Sequence, residues 1–135
     1  MARTIFGVFL VLHGLVHLWY FVLARRLVEF QESMGWTGRS WLFTGLIGDG
    51  ATRSLAAALY VVATIGFVAA GGGLLAGQSW WHPLALASAA FSAVVMVLFW
   101  DGSTQMIVRK GLVGLLINVA ILVVVGLLGW PSLPR

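Results

Sequence analysis

A chain of 135 residues in which 61% of side chains are hydrophobic and only 9% carry charge departs far from the composition of a water-soluble domain. The formal charge of +4 would point to nucleic acid in a soluble protein. Here, however, the basic residues flank apolar runs and form no face, so nucleic acid is not expected as a partner and the charges read as topological anchors. With no cysteine the chain has no disulfide, no thiolate metal ligand and no thiol–disulfide chemistry, which excludes a quinone-linked disulfide oxidase.

Four long apolar runs without a polar face predict an all-α fold, a four-transmembrane-helix bundle forming one integral membrane domain over 1–135. The first span, 5–24, matches the roughly 30 Å hydrocarbon core at about 1.5 Å per residue. It contains Leu12-His13-Gly14-Leu15-Val16-His17. An ionisable side chain at membrane depth is costly unless partnered, so this pair is either functional or closely hydrogen-bonded. Arg3 and Val22-Leu23-Ala24 are features of a cleavable signal, but the run is long for one and carries two histidines, so a retained span is expected.

The connection 25–54 is predicted to be a structured interfacial loop, rich in aromatics (Phe30, Trp36, Trp41, Phe43) and charge. The first helix is expected to continue to about Met34, with Gly35 as its stop. Ser40 to Ile47, too short to span, is expected to form a short interfacial helix and a candidate lid. In the second span, 55–77, Ala69, Gly73 and Gly77 make a small-residue stripe for close helix approach, and Gly71-Gly72-Gly73 invites a kink. Trp80 and Trp81 form an interfacial belt, His82 is expected to be exposed at the interface, and Pro83 suits the first turn of the next helix.

The third span, 84–100, carries Ala85, Ala89 and Ala93 on one stripe with Ser88 and Ser92 beside it, and is predicted to be the most protein-surrounded of the four. The fourth, 111–130, is interrupted by one strongly polar residue, Asn118. Most of the seven tryptophans sit at span ends, as a belt would; Trp19 is the exception, near His17 in sequence but on another part of the helix surface. The strings Asp49-Gly50-Ala51-Thr52 and Asp101-Gly102-Ser103-Thr104 precede the second and fourth spans, which fits a repeated hairpin but fits ordinary turn chemistry better.

Arg25, Arg26, Arg39, Arg53, Arg109 and Lys110 fall in the odd-numbered connections, against Arg3 and Arg135 on the other side. Basic residues stay on the cytoplasmic side, so 25–54 and 101–110 are expected inside and both termini outside the cytoplasmic membrane.

Counting helical rise from the span ends places His17, Ser92 and Asn118 roughly 10 to 12 Å below the cytoplasmic boundary, with Thr64 a turn deeper, Tyr60 at the edge, and His13 one turn further out on the stripe of His17. These six residues are the candidate ligand-binding site. Three uses compete: interhelical hydrogen bonding that registers the bundle, a pocket for a quinone or lipid, and metal or haem ligation. No third metal ligand is evident, and His13 and His17 project from one side, which disfavours haem. Asp49, Arg53 and Asp101 are expected together, either gripping a head group or, in the favoured reading, capping helices.

With H-G-L-V-H in the first span, a long aromatic loop, D-G-x-T turns and four helices, the chain resembles small bacterial four-span membrane proteins of DoxX-like layout. The resemblance covers the whole chain in architecture but only His13-Gly14 in residues; it implies the bundle fold and transfers no catalytic residue. The leading expectation is a non-enzymatic membrane module that binds a lipid-like or quinone-like ligand, or a partner membrane subunit, around His17. Membrane lipids and a second copy of the chain are the other expected partners. The alternative is a redox or metal-dependent membrane enzyme using His13 and His17. Cation export by this chain alone is opposed by the absence of an acid inside any span.

Overall fold

The computed structural model describes residues 1–132, so Arg135 of the charge count lies outside the described residues. Its helices are α1 (Ala2–Ala24), α2 (Phe43–Ile47), α3 (Asp49–Leu75), α4 (Trp81–Leu98) and α5 (Val113–Ile121). The last is extended at both ends by wide π turns, Val108–Leu112 and Leu122–Leu127. Four segments, Ala2–Ala24, Asp49–Leu75, Trp81–Leu98 and Val108–Leu127, are long and apolar enough to cross a membrane. The protein is therefore an all-helical, multi-pass membrane protein.

α1 packs along α3 more extensively than any other pair, α3 packs on α4, and α4 on α5. Glycines set the first contact. A Cβ on Gly71 would lie 2.6 Å from the carbonyl oxygen of Gly7, and one on Gly14 would lie 2.8 Å from the Cβ of Phe67. The two backbones touch there, as small residues allow in lipid. The expected stripe of Ala69, Gly73 and Gly77 is not the one used: Thr64, Phe67 and Gly71 face α1, Gly73 lies under Trp80, and Gly77 sits past the helix end at φ +71°. α3 runs unbroken to Leu75 through the glycine triplet, with Gly71 against α1 and Gly73 against Trp80. Having α1, α2 and α4 as neighbours, α3 and not α4 is the most enclosed span, with 44% of its apolar window buried against 39% for α4 and 22% for the last helix.

Two apolar clusters stack along the bundle. Phe6, Leu10, Phe67, Leu74, Trp81 and Val125 fill the half near Met1. Tyr20, Trp36, Tyr60, Met96 and Phe99 fill the half near the loop. His13, His17, Ser92 and Asn118 sit between them.

α1 stops at Ala24, ten residues short of the expected Met34. Arg26 takes φ +51°, its N–H donates to the Leu23 carbonyl, and the Leu27 N–H donates to the Val22 carbonyl at 3.1 Å, a Schellman ending without glycine. Gly35, at φ +91°, closes only the short turn Glu32–Met34. Beyond it the loop forms the expected short helix as α2, whose first amides, those of Leu42 and Phe43, donate to the Ser40 hydroxyl oxygen.

The same loop closes the end of α4. A helix leaves its last four carbonyls without partners. Here the Val97 carbonyl accepts from the Trp41 indole (2.9 Å) and the Leu98 carbonyl from the Ser40 hydroxyl (2.5 Å). The Phe99 carbonyl accepts from the Trp36 indole and the Trp100 carbonyl from the Trp41 amide, both at 2.7 Å. The loop is bolted to α4 by backbone acceptors. The two D-G-x-T strings also differ: 49–52 is the first turn of α3, whereas Asp101 heads a non-helical turn in which its carboxylate accepts from the Ser103 amide.

Candidate polar site and the cavities beside it

α1 carries His13 and His17 four residues apart on its buried face, their ring centroids 5.0 Å apart and their planes at 89°. His13 Nε2 bonds Asn118 Oδ1 at 2.9 Å, Asn118 Nδ2 donates to Ser92 Oγ at 2.8 Å, Ser92 Oγ bonds His17 Nε2 at 2.6 Å, and His17 Nδ1 bonds the His13 carbonyl at 2.9 Å. The last of these fixes the directions of the rest. A carbonyl only accepts, so His17 Nδ1 carries hydrogen and its Nε2 accepts from the Ser92 hydroxyl. Ser92 then accepts from the amide nitrogen, and the amide oxygen accepts from His13 Nε2–H. The result is a closed ring of four hydrogen bonds across α1, α4 and α5 that needs no ionised group.

His17, Ser92 and Asn118 are at most 1% exposed and His13 is 6% exposed. Phe67 of α3 covers both imidazoles, at 4.8 and 5.4 Å between centroids. Ser92 meets His17 at the level that counting predicted. Asn118 does not bond His17 directly; its partner is His13, one turn away, and His17 is reached through Ser92. The count began at Gly111, whereas the last span begins three residues earlier, at Val108, which sets Asn118 deeper than counted.

Thr64 and Tyr60 do not join the ring. Thr64 Oγ1 donates to the Tyr60 carbonyl of its own helix at 3.0 Å. The Tyr60 ring stacks on Tyr20 at 4.9 Å, beneath Trp36. His82, expected at the interface, is half-buried and donates from Nε2 to the Val125 carbonyl at 3.0 Å, in the wide final turn of the last helix. Trp19 faces outward, 41% exposed.

Of the three residues proposed to grip a head group or cap helices, Asp49 and Arg53 are together and Asp101 is elsewhere. Asp49 lies in the first turn of α3, makes no capping hydrogen bond, and pairs with Arg26 at 3.4 Å and Arg53 at 3.8 Å. Asp101 pairs with Lys110 at 2.8 Å, each side chain 7% exposed. Among the described residues no three His, Cys, Asp or Glu side chains converge as a metal site would require.

Sequence reasoning missed the cavities around Lys110. On one side an apolar cavity of about 170 Å³ lies between α4 and the last helix, bordered by Met96, Val97, Trp100, Lys110 and Leu115. It shares Val97 and Leu115 with a groove of about 270 Å³ that runs on past Ala93 and Val94. On the other side a more polar cavity of about 210 Å³ is bordered by Phe30, Glu32, Thr37, Gln105, Met106 and Lys110. Met106 holds φ +54°, one of two non-glycine residues in the left-handed region among the described residues. The signals were present as Lys110 next to Gly111 and Trp100 next to Asp101, but only the fold brings them together.

Comparison with protein-family models, with curated proteins and with solved structures returns no match for this chain.

Proposed function

We propose that the protein is a non-enzymatic membrane module that holds a lipid-like amphiphile in the groove between α4 and the last helix. The observation that carries this reading is Lys110, which borders an apolar cavity on one side and a polar one on the other, the arrangement an amphiphile's tail and head require. The histidine ring supports the same reading by what it leaves over: all three hydrogen-bonding groups of Ser92 and His17 that face the interior are occupied, so the ring registers helices and the ligand belongs elsewhere.

The module sits in the cytoplasmic membrane with the 25–48 and 101–110 connections inside and the N-terminus outside. Basic residues support this: Arg25, Arg26, Arg39, Arg53, Arg109 and Lys110 cluster on the loop side against Arg3 on the other. Because the chain has no cysteine, a single Thr37→Cys variant reports the orientation directly, by labelling only after the inner face is opened.

The ligand test is retention. Wild-type protein, purified in mild detergent and analysed by mass spectrometry, is expected to carry one amphiphile per chain. Val97→Trp, which fills the groove from an exposed position, is expected to lose it. Equal retention by both proteins, or stoichiometric metal or a visible chromophore in the wild type, would overturn the reading.

A further inference from the structure

We infer that the head group taken at Lys110 is zwitterionic, a phosphate joined to an amine, with the phosphate on Lys110 and the amine on Glu32. This rests on the groove reading above and names the chemistry of its polar end. Charge balance argues it. The polar cavity is bordered by one carboxylate, Glu32, and one ammonium, Lys110. Lys110 is held at 2.8 and 3.1 Å from the two carboxylate oxygens of Asp101, so at most two of its three hydrogens are engaged and the third is left for an acceptor. A purely anionic head would meet an ammonium whose charge Asp101 already balances and would face the Glu32 carboxylate, leaving the site with net negative charge. A neutral quinone head would leave Glu32 without a role. A phosphate with a tethered amine satisfies both ends, and the exposed Thr37 and Gln105 offer neutral hydrogen bonds between them.

The tail follows from the same geometry. Lys110 is the residue common to the polar cavity and the apolar one, and from there Val97 and Leu115 lead into the groove along Ala93 and Val94. An acyl chain attached below the phosphate enters the groove beside Trp100, whose indole N–H is held by the Ser103 carbonyl at 2.9 Å. Trp100 thus keeps a fixed position at the junction of head and tail.

The experiment is a competition. Delipidated protein is reconstituted into nanodiscs holding equal parts of palmitoyl-oleoyl phosphatidylethanolamine, phosphatidylcholine and phosphatidylglycerol with a trace of decylubiquinone. It is then extracted in mild detergent, and the retained molecule is identified by native mass spectrometry. Wild type is expected to retain phosphatidylethanolamine or phosphatidylcholine over phosphatidylglycerol. Glu32→Gln, at an exposed site that leaves the fold intact, is expected to lower that preference by about two- to fivefold, the range of a single partly exposed ion pair. Glu32→Lys is expected to reverse it in favour of phosphatidylglycerol.

Retention of phosphatidylglycerol or quinone by the wild type, or an unchanged preference in both Glu32 variants, overturns the head-group assignment while leaving the groove standing. Retention of all four molecules at the level of Val97→Trp removes the groove itself. A doubly neutral Lys110→Met, Asp101→Asn variant, which leaves no unpaired charge at the ion pair, is expected to keep binding in the groove and, with Glu32 still in place, to keep favouring amine-bearing heads over phosphatidylglycerol; loss of that preference while Glu32 remains also overturns the assignment of the amine to Glu32.

Discussion

Replacing Asn118 by leucine, which has nearly its shape and none of its hydrogen bonds, removes two of the four bonds in the ring: acceptance from His13 Nε2 and donation to Ser92 Oγ. Side-chain hydrogen bonds between membrane helices are worth about 0.6 to 2 kcal/mol each. The two together set an expected loss of about 1 to 4 kcal/mol. The upper half of that range is favoured because His13 Nε2–H is left in an apolar interior without an acceptor, whereas Ser92 keeps its bond to His17. The control is Thr64→Val. Thr64 is also buried and polar, but its hydroxyl serves only its own helix, so its loss is expected to stay below about 0.5 kcal/mol. The assay is reversible unfolding in mixed micelles of mild detergent and dodecyl sulfate, followed by circular dichroism, with a double-mutant cycle of His13→Leu and Asn118→Leu to isolate the pair. A cycle coupling near zero, or a Thr64→Val cost equal to that of Asn118→Leu, would refute the ring as a stabilising unit.

Two further outcomes follow from the packing. Gly71→Ala is expected to destabilise by about 1 to 3 kcal/mol because its methyl would meet backbone of α1, whereas Gly72→Ala, which meets nothing within 4 Å, is expected to be neutral or to stabilise by up to about 1 kcal/mol; thermal unfolding in detergent separates the neighbours. Trp36→Phe removes the indole donor from the Phe99 and Arg39 carbonyls, and is expected to open the loop to limited proteolysis between 27 and 48 at unchanged helix content.

Hydropathy made the four spans legible because lipid imposes one requirement on every residue of a span, and that requirement is local. The burial of His13, His17, Ser92 and Asn118 was legible for the same reason. What sequence reading missed depends on backbone groups that residue types do not announce. The stop at Arg26 is a left-handed residue that is not glycine. The carbonyls of Val97, Leu98, Phe99 and Trp100 hold the loop, and any four residues would have offered the same acceptors. The direct partner of Asn118 turned on where the last span begins, at Val108 and not at Gly111, which the basic pair Arg109-Lys110 concealed. The Lys110 to Asp101 pair spans a turn whose shape is set by Asp101 accepting from Ser103, so the ion pair and the cavities on either side of it exist only once that turn has formed.

The ring and the groove are mechanically joined through Met96. The last helix is the least enclosed of the four, and Asn118 is the polar residue through which it holds both α1 and α4. Asn118 Nδ2 also lies 3.8 Å from the Met96 sulfur, and a Cβ on Gly114 would lie 2.7 Å from the Met96 methyl. Met96 in turn borders the apolar cavity beside Lys110. Loosening the ring therefore frees the helix that forms one wall of the groove. Asn118→Leu is expected to lower amphiphile retention several-fold as well as stability, whereas Val97→Trp, acting in the groove alone, is expected to abolish retention and leave the unfolding midpoint within about 0.5 kcal/mol of wild type, the ordinary range for an exposed substitution. Measuring both quantities on both variants tests the direction of this coupling. Full retention in an Asn118→Leu protein that is measurably destabilised would show that the wall stands without the ring, and the mechanical link through Met96 would fail.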